Sequence, residues 1–204
     1  MGMLSSTVSI TRYMVKGRLD EPVLETVSKG LKKYTISDID SEASEKSIGW
    51  TSFETPYAPD FESSSFVFST YLVFSLRIDR KSIPPKIVNK HVSIEKDRRL
   101  AKSGRNFISS GEKKIIKDQV LHSLCLRVPA TPNVYDLIWS YEDNRLWFFT
   151  NLKAANEDLE DLFSQSFNLS LIRLFPYTAA ELGVDLTDSE RDRLHSLSPA
   201  IFTG

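Results

Sequence analysis

The chain of 204 residues has a single cysteine, Cys125, so no internal disulfide and no cysteine-based metal site can form. Glycine is scarce, at eight residues, and neither G-x-G-x-x-G nor G-x-x-x-x-G-K-[ST] occurs, which removes the usual nucleotide-binding loops. Its three histidines, His91, His122 and His195, are too scattered to suggest a metal site. No apolar run is long enough to span a bilayer. Ser5, Ser6, Thr7, Ser9, Thr11 and Arg12 interrupt the first segment, so neither signal peptide nor anchor is expected there. Net charge is nearly absent too, at −1, which excludes a uniformly basic coat protein. What remains, 41% hydrophobic and 26% charged, is the composition of a globular chain with an ordinary core, and a reducing cytoplasm is its expected home.

The small net charge hides a strong pattern. Met1 to Leu76 has 7 basic against 10 acidic residues, Arg77 to Lys117 has 13 against 4, and Asp118 to Gly204 has 6 against 13. A central block of +9 between acidic flanks reads as a local polyanion-binding surface.

The alternation of Val8, Ile10, Arg12 and Met14 with Thr7, Ser9, Thr11 and Tyr13 predicts a first strand. Asp20 is expected to cap a helix with Pro22 in its first turn and Val23, Leu24, Val27 and Leu31 on its apolar side, running to about Lys33. A polar loop then leads to a short strand at Ile48, Gly49 and Trp50. Phe66 to Ile78 reads as a buried strand or a hairpin turning near Ser69 and Thr70. Pro84 and Pro85 open a second helix, to about Leu100, with Lys86 and Lys90 on one face and Val88 and Val92 opposite. Ser109 or Ser110 caps a third, to about Cys125, whose second half is apolar almost all round and is expected to bury His122. Tyr135 to Thr150 forms a hairpin about Asp143 and Asn144. A helix follows with Leu152, Ala155, Leu159, Leu162 and Phe163 inward and Glu157, Asp158, Glu160 and Asp161 mostly in water. Asn168 to Phe175 is a last strand, and a short helix follows Thr187. The expected fold is α+β, with mixed or antiparallel sheets packed with helices. It divides into an N-terminal part (1–81), a projecting basic helical arm (82–126) and a C-terminal part (127–204), with no free linker.

The run Lys117, Asp118, Gln119, Val120, Leu121, His122, Ser123, Leu124 resembles the K-D-x-V-L-H-S-L stretch of the RdgC family, recombination-associated nucleoid proteins of bacteria. Ile48, Gly49 and Trp50 resemble its G-W element, Ile83 to Val88 its I-x-P-x-x-[IV] helix start, and Glu112 and Lys113 with Ile116 and Lys117 the approach to the motif. Trp139 with its hairpin and Ala154 to Leu162 follow in the same order, so the resemblance runs from about Ser9 to Phe175. Leu126, Val128 and Pro129 around Arg127 depart from the proline and Ala-Phe that commonly follow the motif. The resemblance implies a homodimer that binds double- and single-stranded DNA without sequence preference in the nucleoid and opposes recombinases. The chain reads as a short member lacking the C-terminal third that helps longer ones close a ring.

The residues expected to neutralise phosphates are Lys86, Lys90, Lys96, Arg98, Arg99, Lys102, Arg105, Lys113, Lys114 and Lys117. No cofactor, metal, small-molecule substrate or membrane is called for. The alternative is an Mg²⁺-dependent exonuclease, the label the family has often carried, built on Asp60, Glu112 and Lys114. Pro59 and Asp60 with Glu112, Lys113 and Lys114 formally match a P-D and E-x-K pattern, but Asp60 falls in a loop and Glu112 at a helix start. A pairing of His122 with Cys125 as base and nucleophile is weaker still, since no cleft is evident. Tyr135, Trp139, Tyr141, Trp147 and Phe149 read mainly as core, with a stacking platform for unpaired bases as the second reading.

Overall fold

The computed structural model describes residues 2–62, 65–183 and 186–197. Seven strands, β1 (Thr11–Lys16), β2 (Lys46–Thr51), β3 (Val67–Phe68), β4 (Tyr71–Arg80), β5 (Thr131–Ser140), β6 (Arg145–Phe148) and β7 (Ser170–Arg173), form one sheet. Its order is β2-β4-β5-β6-β1-β7, with β3 also pairing β4, and every strand pair is antiparallel. The expected α+β class is present, as a single antiparallel sheet. Because β1 lies between β6 and β7, residues from both ends of the chain share that sheet.

The helices are α1 (Val23–Lys33), α2 (Pro85–Ser103), α3 (Ser110–Cys125), α4 (Lys153–Phe167), α5 (Pro176–Gly183) and α6 (Asp188–Ser196). Helix α4 touches both β2 and β7, which stand at opposite ends of the strand order, so the sheet curls around it. The residues facing α4 follow the period of two: Trp50 on β2, Leu72, Phe74 and Leu76 on β4, Leu137 and Trp139 on β5, Leu146 and Phe148 on β6, Tyr13 and Val15 on β1, all in one buried cluster. Phe167 on α4 stacks at 5.9 Å from Trp50 and lies 5.3 Å from Trp139, and Phe163 lies 4.9 Å from Trp139.

Two glycines permit this closeness. A Cβ on Gly30 of α1 would come within 2.6 Å of the Phe167 ring, and one on Gly49 of β2 would overlap the backbone of Thr35 and Ile36. That crossing is a parallel bridge, Thr35 to Trp50, beside the antiparallel ladder of β2 with β4.

Several expectations are corrected. The first strand begins at Thr11 and not at Thr7, because Thr11 is the first residue paired with β6. Asp20 is not the cap of α1; Pro22 holds that position, and the Asp20 carbonyl accepts from Thr26 Oγ1. Leu24 and Leu152, expected inward, are 41% and 55% exposed. The last strand spans Ser170–Arg173 and not Asn168 to Phe175, and Pro176, expected to end it, instead opens α5, a helix the sequence reading lacks. The far tail of the expected C-terminal part, residues 198–204, lies outside the described residues.

Asp158 and Glu160 are not on a purely wet face of α4. Asp158 takes Lys46 at 2.7 Å and Arg80 at 3.5 Å, while Glu160 accepts from Arg173 Nε at 2.6 Å. The Tyr13 hydroxyl reaches Asn156 Oδ1 at 2.5 Å and Glu160 Oε1 at 3.0 Å from inside the core. Burial, reinforced by the Glu160 carboxylate, pushes its phenol well above the usual range, so it stays a donor. Replacing Tyr13 by Phe leaves the buried Asn156 oxygen without its donor. Urea unfolding should register a loss of about 1–3 kcal/mol, with the far-ultraviolet circular dichroism of the folded protein unchanged.

Candidate nucleic-acid interface

The basic block lies mostly on one insertion. Arg80 at the end of β4 pairs directly with Thr131 at the start of β5, so the 50 residues between them leave and rejoin the sheet at adjacent points. They hold α2 and α3, an antiparallel pair with a small core of its own: Val88, Ile116, Val120 and Leu124, flanked by Ile83, Val92, Ile108 and Leu121. Helix α2 starts on Pro85 at its first turn and stops at Gly104, whose φ of 63° suits a residue without Cβ. Ser109 caps α3: its hydroxyl accepts from Glu112 N at 3.2 Å and its N–H donates to Glu112 Oε2 at 2.9 Å, a closed capping box. Arg105 fixes the connection from the other side, 2.8 Å from Glu112 Oε1.

The first three cations of the block do not belong to this surface. Arg77 is spent on Asp79 at 2.6 Å, and Arg80 leans on Asp158. Lys81, only 7% exposed, donates to the carbonyls of Asp40 (3.0 Å), Glu42 (2.7 Å) and Cys125 (2.6 Å). Its ammonium thereby meets the negative end of α3 and ties it to the sheet.

Of the ten expected phosphate contacts, Arg98 and Arg99 lie 3.6 and 3.1 Å from Glu95, Arg99 also reaches Gln119, and Arg105 holds Glu112. Lys86, Lys90, Lys96, Lys102, Lys113, Lys114 and Lys117 have no ion-pair or side-chain hydrogen-bond partner among the described residues, and all but the half-buried Lys96 are exposed. The cations do not share one stripe. At about 100° per residue, Lys86 and Lys90 point away from Val88, whereas Arg99 points with it, toward α3.

One side of the pair holds a groove of about 830 Å³, lined by His91, Ile94 and Arg98 from α2 and Asp118, Gln119 and His122 from α3. His122 is therefore exposed on the groove rim and is not the buried histidine expected; the burying residues of α3 are Ile116, Val120 and Leu124, on its other sides. Cys125 is 1% exposed, and burial, with Glu45 adding to it and Lys81 opposing, pushes its thiol up. Its thiolate is disfavoured, and the pairing with an exposed His122 gains nothing from the geometry.

The nuclease set is not brought together. Asp60 lies in a loop where its N–H donates to the Ser52 hydroxyl at 2.8 Å and its carboxylate accepts from Glu62 N at 2.7 Å, while Glu112 is engaged in the cap of α3. Among the described residues no three of His, Cys, Asp and Glu converge as metal ligands. The aromatic hairpin divides between two faces. Trp139 is buried, Tyr135 and Tyr141 pack against the same core, and Trp147 points to the opposite side of the sheet. The sequence reading missed Tyr71, which meets Trp147 there at 6.3 Å; its place in the β4 alternation, odd where the core residues are even, was the available signal.

No family model matches the chain, and no curated protein matches it. The likeness to RdgC rests on the motifs quoted for it.

Two outcomes follow from this geometry. Lys81→Met leaves three buried carbonyls without their cation and should cost about 3 kcal/mol in urea unfolding, with amide exchange at the C-terminal turn of α3 rising first. Hydrogen bonds from Ser109 N–H, then from Arg105, hold the Glu112 carboxyl down at about 2, against an ordinary 4.5. Its depressed value means that the cap is fully supported above pH 4.5 and is lost as pH falls toward 2. Amide exchange at residues 109–113 should therefore accelerate across that window, and Glu112→Gln should remove the pH dependence.

Proposed function

We propose that this protein binds nucleic acid without sequence preference, through the α2–α3 arm, and that it does so as a nucleoid protein that modulates recombination by occupying DNA. One observation carries the reading: seven lysines without partners sit on a separately cored hairpin of ten basic and four acidic residues, while the rest of the chain has 16 against 23. Folding gains nothing from that concentration. Lys86 and Lys90 stand in the first turns of α2, which has no acidic residue there, and Lys113 and Lys114 near the start of α3. These are positions where the helix macrodipole opposes a cation. The same arrangement suits phosphates at α2, whose N-terminus has no side-chain cap, because lysine charge and helix N-terminus add there. The RdgC resemblance supports the DNA and recombination part of the reading, and a homodimer, which doubles the basic surface, belongs to it.

The mechanism is displacement of counterions from the phosphate backbone and needs no bond-breaking. With roughly six phosphates neutralised, affinity for a random duplex should fall about a thousandfold between 50 and 200 mM salt. Changing Lys86, Lys90, Lys113 and Lys117 to Glu together should abolish duplex retention in a gel and leave the thermal midpoint nearly unchanged, since all four are exposed. DNA that shortens in Mg²⁺ and not in EDTA would replace this reading with the exonuclease. Absence of duplex binding at 50 mM salt would assign the arm to an acidic protein partner.

A further inference from the structure

The sheet face away from α4 carries a second set of residues with a purpose of its own. Directly opposed side chains of an antiparallel ladder share a face. Trp147 opposes Arg12 on β1 and Ile138 on β5, and Arg145 opposes Met14, so all five lie together. Tyr71 meets Trp147 edge-on at 6.3 Å and opposes Phe68 across the Ser69–Thr70 turn, and Phe68 meets Phe53 at 6.4 Å. Tyr71 and Phe68 are 41% and 38% exposed, and Trp147 is half-buried.

Four aromatic rings thus run across an open face, beside Arg12, Arg145 and the exposed Lys16 of β1. None of these three cations has an ion-pair partner among the described residues, and β1, β3, β6 and β7 contain no acidic residue. A core has no use for exposed rings next to free cations. An apolar protein partner would not need the charge, and a duplex keeps its base faces stacked on one another. Unpaired bases have free π-faces and a phosphate every nucleotide, which is the combination this face offers.

We propose that the open sheet face is a binding site for single-stranded nucleic acid, with Trp147 and Tyr71 stacking bases and Arg12 and Arg145 holding the adjacent phosphates. A hollow of about 270 Å³ bordered by Arg12, Arg145 and Trp147, and closed by Leu174 and Ala179, has room for the backbone beside the stacked bases. The site shares no residue with the arm and does not depend on the duplex reading.

Binding of labelled oligothymidylate and oligouridylate is measured by anisotropy, alongside the tryptophan emission of the protein. Trp50 and Trp139 are 0% and 1% exposed, so quenching by a bound strand reports Trp147. The expected result is quenching in the wild type and a loss of affinity of about tenfold or more in Trp147→Leu and Tyr71→Leu. Trp147→Phe should keep most of the affinity, and Arg145→Ala should lower the salt dependence. The arm variant carrying four glutamates should keep its single-strand binding while losing the duplex. Wild-type affinity in both leucine variants, or single-strand binding lost only in the arm variant, overturns the proposal, as does no quenching at low salt. Failure of duplex binding alone overturns the arm reading and leaves this one standing.

Discussion

The arm's placement depends on one buried ammonium. Lys81 follows the last residue of β4, and its three carbonyl acceptors come from the 40–42 loop and the end of α3; Asp40 of that loop also accepts from Ala130 N at 2.7 Å, just before β5. An ammonium taken out of water is costly unless each of its protons finds an acceptor. Lys81 has three protons and three acceptors. That match fixes where α3 ends, and α3 carries α2 through their shared core, so the direction of the whole hairpin is set at this point. The same lysine counts toward the basic block in the sequence yet offers nothing to a polyanion.

A second constraint shapes the body. The sheet curls around α4, which fills its concave side with Phe163 and Phe167; α1 packs so closely that Gly30 has no room for a side chain against Phe167, nor Gly49 against the Thr35–Ile36 backbone. One face is committed to that packing, where Tyr13 is answered by Asn156 and Glu160 and Trp50 Nε1 by Ser166 at 2.8 Å, while the buried Trp139 Nε1 has no partner among the described residues. The opposite face follows another rule. At one end Ser75 Oγ donates to Asp136 at 2.8 Å and Met3 N donates to the same carboxylate at 2.7 Å, which closes that end with polar pairs. Toward β6 and β1 no such polar pair is made among the described residues, and Trp147 and Arg145 stay partly exposed beside Leu174 and Ala179, so the face divides into a sealed end and a more open one.

Much of this was legible before any coordinates. Ser109 with Glu112, Pro84 with Pro85, and the hairpin alternative at Ser69 and Thr70 announce their local geometry, because caps and turns are set by residues within a few positions. The basic block was equally plain as a composition shift. What local pattern cannot carry is the identity of a distant partner. Nothing near Lys81 reveals the Cys125 carbonyl, and nothing near Asp158 reveals Lys46 and Arg80. His122 was misplaced for the same reason: a short apolar run looks buried on every side, but a two-helix pair has only one neighbour to bury against and leaves a rim in water. Trp147 was grouped with Trp139 because both lie on one hairpin. They face opposite ways, since Trp139 opposes Leu146 in the ladder and Trp147 is its next neighbour along β6.

The charge distribution then constrains how a polyanion can approach. With the arm at ten basic to four acidic residues and the body at 16 to 23, the arm attracts a phosphate backbone and the body repels it. At physiological salt the field of exposed charges dies off over about 8 Å, so this preference acts at close range and favours strands that meet the arm first. The body is not uniformly repulsive, however. Two of its acidic side chains are neutralised, Asp158 by Lys46 and Arg80 and Glu160 by Arg173, whereas on the other sheet face β1 and β6 carry Arg12 and Arg145 and no acidic residue. A rigid duplex cannot bring its bases to that face, but a flexible strand can bend around the acidic rim to reach it. Under the two proposals made above, the architecture would separate the two forms of a polynucleotide by shape and stiffness, through charge on the arm and through stacking on the sheet.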